Sequence, residues 1–135
     1  MNLDIGVLVD AVNISQEGKL NLLGLFGRVY SDSMPCTLPQ MYIVLKFIAS
    51  ASEKGTSQVV KIVLIDDDGK RLMESPESSI LIPEESPDLN PEVNFITQLS
   101  SITFPQLGTY SFHVMVNNST VKQIPLIVQS ITPTS

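Results

Sequence analysis

The side chains of this sequence that could do chemistry are concentrated in one acidic stretch. Nine of the fourteen Asp and Glu residues lie within residues 66–92, together with only two cations. Calcium prefers several oxygen ligands, which flexible loops can supply. Asp66, Asp67 and Asp68 are therefore candidate metal ligands, and the loops over residues 66–92 are a candidate site for calcium or a small polar ligand.

The same acidic run has a second interpretation as a plain hairpin turn. Its spacing is not that of an EF-hand loop, because Leu64 holds the position where the first Asp should stand. Consecutive Asp residues in an extended stretch point to opposite sides, so we expect their carboxylates to be separated. The Asp68-Gly69 pair is a favoured turn signal by itself.

A hydrolase would need a nucleophile, a base and a group that orients the base. The one histidine, His113, is flanked by Ser111 and Met115 on its own strand face, which is typical of a half-exposed strand histidine. The one cysteine, Cys36, has neither a nearby cation nor a helix start to stabilise its thiolate. Hydrolysis through His113 therefore stays a remote alternative.

Other cofactor and enzyme signatures are missing from the sequence. A single His and a single Cys cannot form a usual four-ligand zinc site without distant carboxylates. There is no Gly-rich phosphate loop, because the segment Gly24–Gly27 lacks the Lys-Ser/Thr ending. The sequence predicts a protein that is not an enzyme and that needs no cofactor.

The elements that must position these side chains are β-strands. Thirteen Val, thirteen Ile and eight Thr stand against three Ala, and β-branched residues favour strands. Short apolar runs broken by Pro and Gly predict an all-β, antiparallel two-sheet β-sandwich, immunoglobulin-like or a related Greek key, with about eight strands. We expect one domain over residues 1–131 and a frayed tail over residues 132–135.

Individual segments give sharper predictions. The runs Ile5–Ile14 and Leu20–Tyr30 are close enough to form a hairpin. The segment Ser31–Gln40 is predicted as a loop between the sheets because it contains two prolines. Ser79–Ile82 is predicted as an edge strand in a Pro-rich stretch. Within Thr109–Val116, odd and even positions should face opposite sides.

Charge narrows the classes of partner. The chain carries a formal net charge of −6 with scattered cations, which argues against nucleic acid and against anionic membranes. Its start, residues 1–10, lacks the basic region of a signal peptide and carries Asp4 and Asp10, so we expect a cytoplasmic location. Only 16% of the residues are charged, and such a weakly charged surface favours a protein partner or self-association.

One local motif resembles the immunoglobulin-like sandwiches. Gly108 precedes Tyr110 by two residues at the turn into a late strand. In those proteins the tyrosine hydroxyl fixes the corner between the sheets. Phe112 stands where the antibody type has its cysteine, so the resemblance implies the general sandwich, with Gly108 and Tyr110 as its structural corner.

The wider layout is similar to a family of small uncharacterised bacterial proteins, a domain of unknown function. Its landmarks here are Glu17–Gly24 in the first hairpin, Asp67-Asp68-Gly69 in the middle, Phe104-Pro105, and Gly108-x-Tyr110-x-Phe112. These are turn and core residues. The resemblance implies the fold and brings no activity.

The function predicted from the sequence is a non-catalytic structural or protein-interaction module. Its support is the lack of a catalytic constellation together with strand-rich, charge-poor surfaces that suit association through sheet faces or edges. The alternative is the ligand-binding sandwich at residues 66–92.

Overall fold

A computed structural model describes residues 1–131 of the chain and contains ten strands. One three-residue 3-10 helix, Ala51–Glu53, lies among them. The predicted frayed tail, residues 132–135, lies outside the described residues, and the single domain over residues 1–131 stays a prediction. The strands are β1 Asn2–Ile14, β2 Leu20–Phe26, β3 Arg28–Ser31, β4 Cys36–Ile48, β5 Ser57–Asp66, β6 Arg71–Glu74, β7 Ser78–Leu81, β8 Glu92–Phe104, β9 Gly108–Val116 and β10 Ser119–Ser130.

The strands form two sheets, so the predicted all-β sandwich is confirmed. The four-stranded sheet has the order β2-β1-β4-β8, and the six-stranded sheet has the order β3-β10-β9-β5-β6 with β7 also paired to β5. The chain changes sheets five times, at β2–β3, β3–β4, β4–β5, β7–β8 and β8–β9, and the last two strands form the β9–β10 hairpin. This arrangement matches the immunoglobulin-like sandwiches.

The core lies between the inner faces of the two sheets. Every second residue of β9 is buried from Tyr110 to Val116, while Ser111, His113 and Met115 are half-buried on the outer face. The alternation predicted for this strand is therefore confirmed. The largest fully buried side chains include Phe47 and Phe104 from the four-stranded sheet and Phe112 from the six-stranded sheet.

The run Leu20–Tyr30 was predicted as one strand, and this prediction is wrong. The run divides at Gly27 into β2 and β3, which lie at the edges of different sheets. β3 pairs with β10 in parallel, so the sandwich is not purely antiparallel. The two halves are adjacent in sequence, and they are separated by pairing with different strands, β2 with β1 and β3 with β10.

The predicted loop Ser31–Gln40 is partly wrong, because β4 already begins at Cys36. Proline interrupts a strand only where its missing N–H is needed. The pairing of β4 with β1 runs from Tyr42 to Ile48, so Pro39 lies where one side of β4 is free of β1. The neighbouring strand bends at the same level, where Ser101 has a positive φ of 54°.

Candidate functional site

The three aspartates meet at the turn between β5 and β6. One carboxylate oxygen from each of Asp66, Asp67 and Asp68 lies within 4.8 Å of the others. The expectation that their side chains would separate is therefore wrong. The reason is the turn itself, because Gly69 has a φ of +84° and the chain reverses before a strand alternation can develop.

Asp66 is already used by the turn. Its Oδ1 accepts hydrogen bonds from the backbone N–H of Asp68 at 3.0 Å and of Lys70 at 2.8 Å. Its backbone carbonyl accepts a third bond, from Gly69 N–H at 3.1 Å. An aspartate that bonds the backbone ahead of it is a standard turn-forming device. The side chains of Asp67 and Asp68 are exposed beside it.

A cavity of about 270 Å³ lies between this turn and the turn that precedes β9. Tyr110 forms its inner wall and is paired in register with Asp66. The Tyr110 hydroxyl donates to the Gln106 carbonyl at 2.5 Å and accepts from the Gln106 N–H at 3.2 Å. The Tyr110 ring packs edge-on against Phe104, with ring centroids 4.9 Å apart. Tyr110 thus bonds the backbone four residues before it, and Gly108, which lies between them, has a φ of +144°.

Part of the ligand capacity of the acidic turn is already used within the turn. Calcium takes six to eight oxygen ligands, and one oxygen of Asp66 already serves two backbone donors. Lys70 also contributes a positive charge to the wall of the same cavity. Binding of calcium or a small polar ligand here stays a prediction from the sequence.

The structure does not bring His113 and Cys36 together. His113 lies on the outer face of β9, opposite Val63 of β5 and Gln123 of β10. Cys36 opens β4 in the other sheet, opposite Phe104 of β8. His113 is not in the wall of the cavity beside the acidic turn or of three other surface cavities among residues 1–131. Among the described residues, His113 and Cys36 therefore do not form a nucleophile–base pair.

Two carboxylates outside the acidic turn have clearly lowered pKa values. A hydrogen bond from the N-terminal ammonium, 2.8 Å away, is the main cause for Glu53, and a bond from the Ser50 backbone N–H adds to it. A hydrogen bond from Lys61 lowers the pKa of Glu74. Each of these two ion pairs joins neighbouring elements of the fold. We therefore attribute the lowered pKa values to structural ion pairs.

A different surface stands out in the structure, and the sequence prediction missed it. Among the described residues, four of the ten exposed large apolar side chains lie on the β1–β2 hairpin: Ile14, Leu22, Leu23 and Leu25. Leu23 is 70% exposed and Leu25 is 64% exposed. The sequence carries one signal for this surface, which is a run from Leu20 to Phe26 without a single charge.

The hairpin is exposed because β1 extends beyond the end of its pairing with β4. β1 pairs with β4 only up to Val9, whereas it pairs with β2 from Leu8 to Ile14. Beyond Val9 the hairpin is therefore a two-stranded arm whose outer strand, β2, has no second neighbour among the described strands. In the pairing of these strands, Leu25 is the partner of Val9 and Leu23 is the partner of Ala11.

The turn of this arm lies over the outer face of its own sheet. Gly18, Lys19 and Leu20 share the wall of one cavity with residues of β1, β4 and β8. Val9 and Val44 are fully buried although they do not belong to the core between the sheets. The turn of the arm thus faces its own sheet, whereas the side chains of residues 21–25 in β2 are exposed.

The fold defines an immunoglobulin-like β-sandwich, and the comparison with protein families agrees with the predicted membership. The model of a family described as "Family of unknown function (DUF6941)" matches residues 4–129. The chain belongs to this family. The predicted likeness to a domain of unknown function is therefore confirmed.

No curated protein matches the chain. One similar solved structure is a glycosyl hydrolase family 2 member from Bacteroides cellulosilyticus DSM 14838, at 8% identity and a TM-score of 0.37. The match covers 68% of this chain but only 14% of that chain. A likeness at this level carries no argument about activity.

In the part of the chain that the structure describes, no helix is long and apolar enough to cross a membrane.

Proposed function

We propose that this chain is a cytoplasmic, non-catalytic protein-interaction module, and that it binds its partner through the β1–β2 hairpin. The observation that carries the proposal is the exposed apolar face of β2, with Leu23 at 70% and Leu25 at 64% exposure. Complete burial of a leucine side chain contributes about 1.5–3 kcal/mol. Side chains exposed this far still have most of that free energy to gain from a partner.

Position within the sheet supports the same surface. β2 is an edge strand, and a free strand edge offers unpaired backbone N–H and C=O groups to a further strand. Five consecutive residues, 21–25, are exposed. A partner strand would therefore meet both backbone donors and apolar side chains at one place.

The opposite edge of the same sheet gives a useful contrast. β8 is also an edge strand, but its exposed side chains are polar, including Asn94, Gln98 and Thr103. Polar side chains lose hydration when a partner covers them, and leucines gain from being covered. The chain thus favours contact at β2 over contact at β8.

The free thiol of Cys36 agrees with a reducing compartment and supports the proposed cytoplasmic location. The placement of His113 and Cys36 in different sheets supports the absence of nucleophilic catalysis. Both observations are consistent with a module that acts by binding.

Site-specific photo-crosslinking in the native host tests the proposal. A photoreactive phenylalanine derivative replaces Leu23 in one variant and Leu89 in a matched control, because Leu89 is 72% exposed but lies in a loop outside the hairpin. We expect a discrete crosslinked protein from position 23 and not from position 89. Equal crosslinking from both positions, or none from position 23, would refute the hairpin as a binding surface.

A further inference from the structure

We draw no further inference here: the strongest candidate, the apolar edge of β2 in the β1–β2 hairpin, has no second neighbour among the described strands, and nothing in the structure of residues 1–131 shows what covers it.

Discussion

The acidic turn and the β1–β2 hairpin both connect strands at the surface. They differ in whether their side chains are bonded within the connection or left uncovered. The acidic turn uses its most buried carboxylate internally, since Asp66 holds two backbone N–H groups of its own turn. The hairpin leaves Leu23 and Leu25 with more than half of their surface uncovered. The comparison teaches that a conspicuous cluster in a sequence can be satisfied locally, while an ordinary-looking leucine run can lack a partner.

The largest expected effect distinguishes the backbones of the two hairpins. Gly24 and Gly69 both have positive φ, at +73° and +84°. A Cβ at Gly24 would overlap the Asp10 carboxylate and lie 2.9 Å from Asp10 Cβ, whereas a Cβ at Gly69 meets nothing within 4 Å. We expect Gly24→Ala to destabilise by about 2–3 kcal/mol and Gly69→Ala by about 1 kcal/mol in urea unfolding. Equal costs would show that Asp10 simply moves away.

A smaller effect is expected at the corner that supports the acidic turn. Tyr110→Phe keeps the ring contact with Phe104 and removes both bonds to Gln106. We expect a loss of about 1.5 kcal/mol in thermal unfolding, because the exposed Gln106 backbone can turn to water instead. An unchanged stability would mean that ring packing alone holds the corner. The control is Tyr42→Phe, which removes a tyrosine hydroxyl from the other sheet.

The acidic turn itself gives the next prediction. Asp66→Ala removes an acceptor of two backbone bonds, and we expect a loss of about 1 kcal/mol. Asp67→Ala removes a neighbouring exposed carboxylate and should change the free energy of unfolding by less than about 0.5 kcal/mol. Chemical denaturation measures both. A greater loss for Asp67→Ala than for Asp66→Ala would contradict the structural role assigned to Asp66.

The smallest expected effect concerns calcium. Because Asp66 is engaged in the turn, we expect no change of the melting temperature when millimolar calcium is added. The matched variant is Asp67→Asn, which removes one charge from the cluster. A rise of several degrees in the melting temperature of the wild type with calcium, absent in this variant, would establish a cation site at the acidic turn. The acidic turn would then bind a ligand, as we propose for the β1–β2 hairpin.

Much of the fold could be predicted from the sequence because local patterns carry it. The alternation from Tyr110 to Val116 places one face of β9 in the core, and the Gly108–Tyr110 spacing marks the corner. The predictions were wrong where pairing at a distance decides. Gly27 divides one apolar run between two sheets, and Pro39 is accepted in β4 because β1 does not reach it.

The candidate surface was harder to predict than the fold. The composition of Leu20–Phe26 is compatible with a buried strand, and only the end of the β1–β4 pairing at Val9 leaves that segment uncovered. The gathering of Asp66, Asp67 and Asp68 could not be predicted either, since it depends on where the strand stops and the turn begins.

The sequence by itself determined the class of fold and the turns, because strand alternation and the conformations of Gly and Pro are local properties of the backbone. The tertiary structure alone decided which side chains are exposed. Burial depends on which strands lie side by side. The residues of β2 and of the acidic turn do not specify their neighbours in the fold, so the exposure of β2 and the engagement of Asp66 could not be read from them.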